Sequence, residues 1–313
     1  MDLADLKTFE AVARHGSMNK AAAELHTVQS NVTARIRAME DALGLPLFQR
    51  HARGVVMTPA GQRVLPYAGR IAKLLAEAHA AACDDGRPRG TLTLGGLETT
   101  TALRLSPALT AYARAYPDVR LVMSTGTTAQ LVQDVIDYRY DGAFVAGPVH
   151  HPDLDATTIF VEELMLVACP ALKSLKDLAG LPDLRTVVFQ AGCSYRQRLE
   201  AFLGEKGIVA TQPLEFGSLD TIISCVSAGV GVTMLPRVVV AEAARTGRVS
   251  LHRLPAQQAR VETQFVRRQD AYVSSALTAF LETVRAANAK AKVDAKAAEA
   301  SRTEASRTEA SRP

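Results

Sequence analysis

The sequence predicts an α/β protein with an N-terminal all-α part. Three observations carry this. Apolar residues recur every three or four positions through the first 82 residues, a polar segment with two glycines and a proline follows at 84–90, and beyond it short apolar runs alternate with helical stretches. At about 100–200 residues per domain, 313 residues suffice for two or three units, each with its own core. A 48% apolar, 22% charged composition excludes collagen-like and wholly disordered chains, and no run of about 18 uncharged apolar residues offers a transmembrane span. Four scattered cysteines and the lack of an apolar leader point to a reducing cytosol without disulfides.

The elements follow in order. Leu6, Phe9, Val12 and Ala13 keep helical spacing behind Asp2 as N-cap, and Gly16 ends that helix. Ser17 caps an alanine-rich helix over 18–26, whose small side chains let a neighbour approach. After a tight break at Thr27, Val32, Ile36, Met39 and Leu43 mark a third helix, closed by Gly44. Residues 45–57 suit only a small hairpin. Thr58-Pro59 opens a long helix to about Ala82, where Leu65, Ala68, Ala72, Leu75, His79 and Ala82 occupy the a and d positions of a coiled-coil seam. Strands are expected at 91–95, 120–124, 142–146, 164–169, 186–190 and 230–235, with helices between them, in largely parallel sheets. The repeat-bearing tail over 287–313 lacks the aliphatic content to offset its ordering entropy and is expected to be disordered.

Charge is unevenly placed. Residues 1–90 hold 12 Lys and Arg against 9 Asp and Glu, residues 91–284 hold 17 against 19, and residues 285–313 hold 7 against 4. Basic ends around a mildly acidic middle fit a modular protein with one end that meets a polyanion.

The segment from Ser17 to Arg53 carries the sharpest chemistry. A small-residue helix, a short turn and a second helix with an apolar inner stripe make a helix-turn-helix, a motif that offers one helix to the DNA major groove. Gln29, Ser30, Asn31, Thr33, Arg35 and Arg37 lie outward on that second helix. Gln and Asn pair with adenine, Arg with guanine, and hydroxyls with base or backbone.

Residues 15–61, HGSMNKAAAELHTVQSNVTARIRAMEDALGLPLFQRHARGVVMTPAG, carry G-S, A-A-x-x-L, a Q-x-x-V-S-like core, I-x-x-L-E, L-G-x-x-L-F-x-R and T-x-A-G in fixed order. In this the chain resembles the LysR-type family of bacterial transcriptional regulators. Tyr140-Asp141-Gly142-Ala143-Phe144 and the Ser227–Pro236 segment are similar to that family's effector-binding half, two α/β subdomains like a periplasmic binding protein. The resemblance implies a winged helix-turn-helix over 1–58, a linker helix and hinge over 59–89, and an effector domain over 90–286, its subdomains being 90–160 with 265–286 and 161–264. It places Gln29, Ser30, Asn31, Thr33 and Arg35 on the recognition helix, with Arg50 and Arg53 in the wing. It further implies a homodimer paired through the linker helix, assembly to a tetramer, promoter DNA with inverted repeats, RNA polymerase as a partner if the protein activates, and no membrane. Val28 stands where the family has a capping serine, so Thr27 is expected to cap instead and start the helix one residue early.

Candidate effector contacts follow predicted strands: Thr99, Thr100 and Thr101; Thr125, Thr127 and Thr128; and Cys193, Ser194, Tyr195 and Arg196. Hydroxyls and an arginine at helix starts suit a small anion, although the same threonines serve equally as helix caps. Cys193 beside Arg196 invites a lowered thiol pKa and redox sensing, but no second cysteine is near in sequence. His150-His151 lacks partners at metal spacing, position 234 is methionine where a dinucleotide loop needs glycine, and no catalytic motif is present. No cofactor and no enzymatic activity are expected. The competing readings are an enzyme or carrier with a borrowed DNA-binding end, and an architectural DNA binder.

Overall fold

The computed structural model describes residues 1–51, 54–180, 183–210 and 213–291. It divides into two compact units, Met1–Asp85 with Ile136–Tyr140, and Gly86–Val135 with the chain from Asp141.

The first unit opens with α1 (Leu3–His15), held at its start by a capping box in which Asp2 and Asp5 exchange side-chain-to-amide bonds of 2.8 Å. Gly16 ends it in the left-handed conformation. Then come α2 (Met18–Glu24), α3 (Gln29–Leu43), the antiparallel hairpin β1 (Phe48–His51) and β2 (Gly54–Met57), and α4 (Pro59–Cys83). Leu6, Phe9 and Val12 from α1, Ala21 and Ala22 from α2, and Val32, Ile36 and Met39 from α3 form one core with Leu47 and Phe48.

Two expectations are corrected in this unit. Thr27 does not begin α3: Val28 is its extended N-cap, without a side-chain bond, and the Thr27 hydroxyl instead accepts from Asn31 Nδ2 at 3.0 Å. The seam predicted along α4 is also turned. Ala68 is fully buried in the core of this unit and Leu65 packs against it, so neither faces outward. Small side chains at heptad spacing here accommodate α1, which the spacing alone cannot distinguish from a partner helix. The exposed apolar row is Tyr67, Ile71, Leu74, Leu75 and Ala78, and His79 is exposed beside it. Pro66 sits within α4 without ending it.

The second unit carries a seven-stranded sheet. Its elements in order are β3 (Gly90–Gly96), α5 (Glu98–Thr100) leading through a π-turn (Thr101–Leu105) into α6 (Ser106–Ala115), β4 (Val119–Thr125), α7 (Thr128–Ile136), β5 (Gly142–Ala146) and β6 (Leu154–Ala168). They continue with β7 (Val187–Val188), α8 (Ser194–Glu205), β8 (Leu214–Glu215), α9 (Leu219–Ser227), β9 (Thr233–Pro236), α10 (Arg237–Arg245), β10 (Ser250–Arg253), α11 (Ala256–Ala259), β11 (Arg260–Arg268) and a helix over 275–291, α12.

The sheet order is β10-β6-β11-β5-β3-β4, with β9 also on β6. Within it β3 pairs in parallel with β4 and with β5; the pairs of β6 with β9, β10 and β11, and of β11 with β5, are antiparallel. The expectation of largely parallel sheets is thus corrected. β6 and β11 pair with each other through polar positions such as Glu162 and Gln264, which break the apolar run that marks a buried parallel strand.

β6 changes partner along its length, with β11 through Glu163 and β9 from Leu164. One core lies between β3, α6 and α12, where Tyr112 donates to the Ala276 carbonyl at 2.8 Å and meets Phe280 edge-on. The other half buries Leu199, Phe202, Ile222, Val226, Met234 and Leu235.

α12 runs through 291, so the tail does not begin at 287 as expected. Ala287 packs on the core and Asn288 donates to the Ile159 carbonyl at 3.1 Å, giving these small and polar residues a place that composition did not reveal. The remainder of the tail lies outside the described residues.

Candidate DNA-binding helix and effector cleft

α3 presents two unlike faces. Val32, Ile36 and Met39 are buried, and Gln29, Ser30, Asn31 and Arg37 are exposed on the opposite side with Thr33 half-buried. Gln29 donates to the Thr33 hydroxyl at 3.1 Å, one turn along, which orders the helix start without burying it. Ser17 is the half-buried N-cap of α2, accepting from the Lys20 amide at 3.4 Å. The turn between α2 and α3 is closed by the Thr27 amide on the Ala22 carbonyl, 2.9 Å, with His26 at positive φ.

Arg35 differs from its neighbours. Its guanidinium is 2.8 Å from Asp5 Oδ1 and 3.5 Å from Asp2 Oδ1, joining α3 to the capping box of α1. The Asp5 amide and then Arg35 hold the Asp2 carboxyl below its ordinary range. The side chain expected to read a base is therefore engaged within the protein.

Two residues not singled out from the sequence position the wing. Glu40 Oε1 accepts from the amides of Leu47 and Phe48 at 2.7 and 3.0 Å, tying the start of the hairpin to the last turns of α3. Gly54 lies so close to Gly16 that a Cβ would stand 2.5 Å from the Gly16 carbonyl oxygen, while the Val55 amide donates to that same oxygen at 2.9 Å. Glu40 ends the I-x-x-L-E element, so its place in the motif was the available signal. Arg50 pairs through its backbone with Val55, and Arg53 lies outside the described residues.

In the second unit the candidate effector residues separate between two cavities. One, of about 140 Å³, is lined by Thr99, Thr125, Thr127 and Cys193 together with Glu98, Phe189, Gln190 and Tyr195. A wider one, of about 400 Å³, is lined by Thr128 and Ser194 with Gly147, Pro148 and Arg198. Thr128 already accepts from the Ala146 amide at 3.3 Å. Thr100 and Thr101 line neither: their hydroxyls are buried without a hydrogen bond beside the π-turn.

Arg196 is corrected as an anion ligand. It binds Glu200 at 2.8 Å and Glu215 at 2.6 Å, which neutralise it and turn it from both cavities. Cys193 is buried, and burial pushes its thiol up; the amides of Arg196 and Tyr195 offset only part of that. A lowered, reactive thiol is not what this position provides. Glu98, Phe189, Gln190 and Arg198 were missed, although Glu98 directly precedes the threonines.

The Gly229-x-Gly231 segment has a backbone purpose. Gly229 ends α9 at positive φ, and a Cβ on Gly231 would stand 2.5 Å from the Arg185 carbonyl oxygen, where the chain bridges Thr186 to Val232. His151 Nδ1 accepts from the Asp153 amide at 3.2 Å, a loop contact.

A winged helix-turn-helix on one unit and a cleft-bearing α/β fold on the other define a two-domain DNA-binding regulator. The family described as "Bacterial regulatory helix-turn-helix protein, lysR family" matches residues 3–62, and "LysR substrate binding domain" matches residues 85–289. The HTH-type transcriptional regulator GltR of Bacillus subtilis is 39% identical over 91% of this chain and 96% of its own length. YofA of Bacillus velezensis, also an HTH-type transcriptional regulator, is 43% identical over 91% and 98%. Among solved structures, full-length CbnR complexed with its target DNA superposes with a TM-score of 0.64 at 24% identity, covering 92% of this chain and all of that one. A full-length OxyR variant of Pseudomonas aeruginosa gives 0.67 at 18% identity, covering 92% and 94%.

The chain belongs to the LysR family of bacterial transcriptional regulators. It is a regulator with a helix-turn-helix DNA-binding domain and an effector-binding domain, not an enzyme, and regulators of this family bind promoter DNA and small-molecule effectors and oligomerise. Among the described residues, no helix is long and apolar enough to cross a membrane.

Proposed function

We propose that the protein works in the cytoplasm as a homodimer paired through α4, two dimers forming a tetramer, and that it binds an interrupted inverted repeat in promoter DNA. The observation that carries this reading is the two-faced α3, whose exposed Gln29, Ser30, Asn31 and Arg37 stand opposite a buried Val32, Ile36 and Met39. Gln29 and Asn31 are the base-reading candidates, Arg37 and the wing arginines Arg50 and Arg53 the phosphate and minor-groove candidates, and Ser17 a phosphate contact at the start of α2. Pairing follows the exposed row from Tyr67 to Ala78, with RNA polymerase as a further partner at activated promoters. A small molecule in the cleft of the second unit, against Thr99, Thr125, Thr127 and Cys193, favours one arrangement of the effector half over another and so shifts how the DNA-binding heads sit.

Footprinting of the full chain on a promoter fragment selected by its binding from genomic DNA tests this. The expected result is a two-fold symmetric protected region in which Gln29→Ala costs about 1–3 kcal/mol at a defined base pair and is nearly neutral when that pair is changed. Equal binding to promoter and random DNA at every salt concentration overturns it.

A further inference from the structure

The smaller cavity has a charge character of its own. Among the described residues no lysine or arginine lines it, and Glu98 is its one charged lining residue. The Glu98 carboxylate makes no hydrogen bond or ion pair with any described residue, and it is half-buried at the turn between β3 and α6. Of the neighbouring arginines, Arg196 is already matched by two carboxylates, and Arg198, which acts on the Tyr195 hydroxyl electrostatically, lines the wider cavity and donates to the Gly147 carbonyl at 3.2 Å.

Three further features of the lining point the same way. Tyr195 is buried to 3% exposure, and its hydroxyl approaches that of Thr99 without reaching hydrogen-bond geometry, leaving both able to accept. Burial also keeps the Tyr195 phenol protonated by pushing its pKa well up. Phe189 also lines the recess, and an aromatic side chain attracts a cation by its quadrupole. A volume of about 140 Å³ is below the ~300–1,000 Å³ of clefts that hold drug-sized ligands.

We propose that this recess takes a small organic cation, an amine or guanidine, whose charged nitrogen is held by the Glu98 carboxylate, whose remaining N–H groups are accepted by the Thr99 and Tyr195 hydroxyls, and whose alkyl part lies against Phe189. This rests on the reading of the cleft as the effector site, and it replaces the expectation of a small anion. An anion entering here meets an uncompensated carboxylate, whereas a cation supplies the charge that the lining lacks.

The test uses the full chain and a size-matched series: butylamine and butylguanidine as cations, butanol as the neutral compound, butyrate as the anion. Melting curves and calorimetry are expected to register binding of the two cations at millimolar concentration and none of butanol or butyrate. Glu98→Gln should weaken cation binding by at least about 30-fold, and Glu98→Asp should keep more of it than Glu98→Gln. Binding of butyrate or butanol in preference to the amines, no binding of any compound at about 10 mM, or amine binding unchanged in Glu98→Gln overturns the proposal. Promoter footprints run beside these separate the two readings. A footprint altered by butyrate overturns the cation and leaves the effector site standing; amine binding that depends on Glu98 but leaves every footprint unchanged supports the cation and counts against the effector reading.

Discussion

Replacing Gly61 with alanine sets two effects of opposite sign against each other. Gly61 stands in the first turn of α4, and helix propensity alone favours alanine there by about 1 kcal/mol. The packing says otherwise. A Cβ at this position would stand 2.3 Å from the Leu47 carbonyl oxygen and 3.3 Å from its carbon. The obstacle is backbone, and it is fixed: the same oxygen accepts from the Thr58 amide at 2.9 Å, while Thr58 Oγ1 donates to the Pro46 carbonyl at 2.7 Å and caps α4 through the Gly61 amide at 3.0 Å. Relief requires parting α4 from the segment before β1, with loss of these bonds. Overpacking against a rigid neighbour costs about 2 kcal/mol, the two bonds lost to Leu47 and Pro46 about 1 each, and the gain in propensity offsets about 1, so the net effect is a destabilisation of about 3 kcal/mol. For a unit of this size that lowers the melting temperature by about 12–24 °C. The assay is calorimetry of the full chain, in which the transition of the first unit should move and that of the second should not. A rise of a few degrees, the result that propensity alone gives, would refute the packing argument.

Two other outcomes follow from the first unit. Arg35→Ala is expected to remove a partly screened ion pair worth about 1 kcal/mol, lowering the first transition by about 4–8 °C and weakening binding to all DNA sequences alike, as measured by melting and by competition among single-base operator variants; a loss confined to one base pair with unchanged melting would make Arg35 a base reader after all. Glutamate at both Ile71 and Leu74 is expected to yield monomers by light scattering, whereas Ala68→Glu should unfold the first unit; a persistent dimer in the double variant refutes the exposed row as the seam.

What the sequence made legible was set by how local the cause is. The capping residues Asp2, Ser17 and Thr58 act within one turn, and each caps the helix expected of it. The motif elements of residues 15–61 identified the family, and their physical content emerges only from contacts beyond the single turn, as with Glu40 on Leu47 or Gly61 against the Leu47 carbonyl. The register of α4 was misjudged because Ala68 satisfies a heptad and an intradomain core equally. In the cleft, hydroxyl-rich segments after strands were recognisable, and five of the ten candidate positions line the smaller cavity. For Arg196 the i,i+4 partner Glu200 was legible on the predicted helix, whereas Glu215, 19 residues away on β8, was not. Arg35 was misread for the same reason, its partner lying 30 residues earlier.

The burial of Ala68 makes α4 a lever with a fixed grip. Residues 68 to 83 span about 22 Å at 1.5 Å per residue, and the gripped end carries the whole helix-turn-helix. A tilt of about 10° about the Cys83 end therefore carries the gripped end through about 4 Å, close to the ~3.4 Å rise of one base step. An angular change small enough to leave every core contact of the first unit intact is thus enough to put its reading helix one base pair out of register.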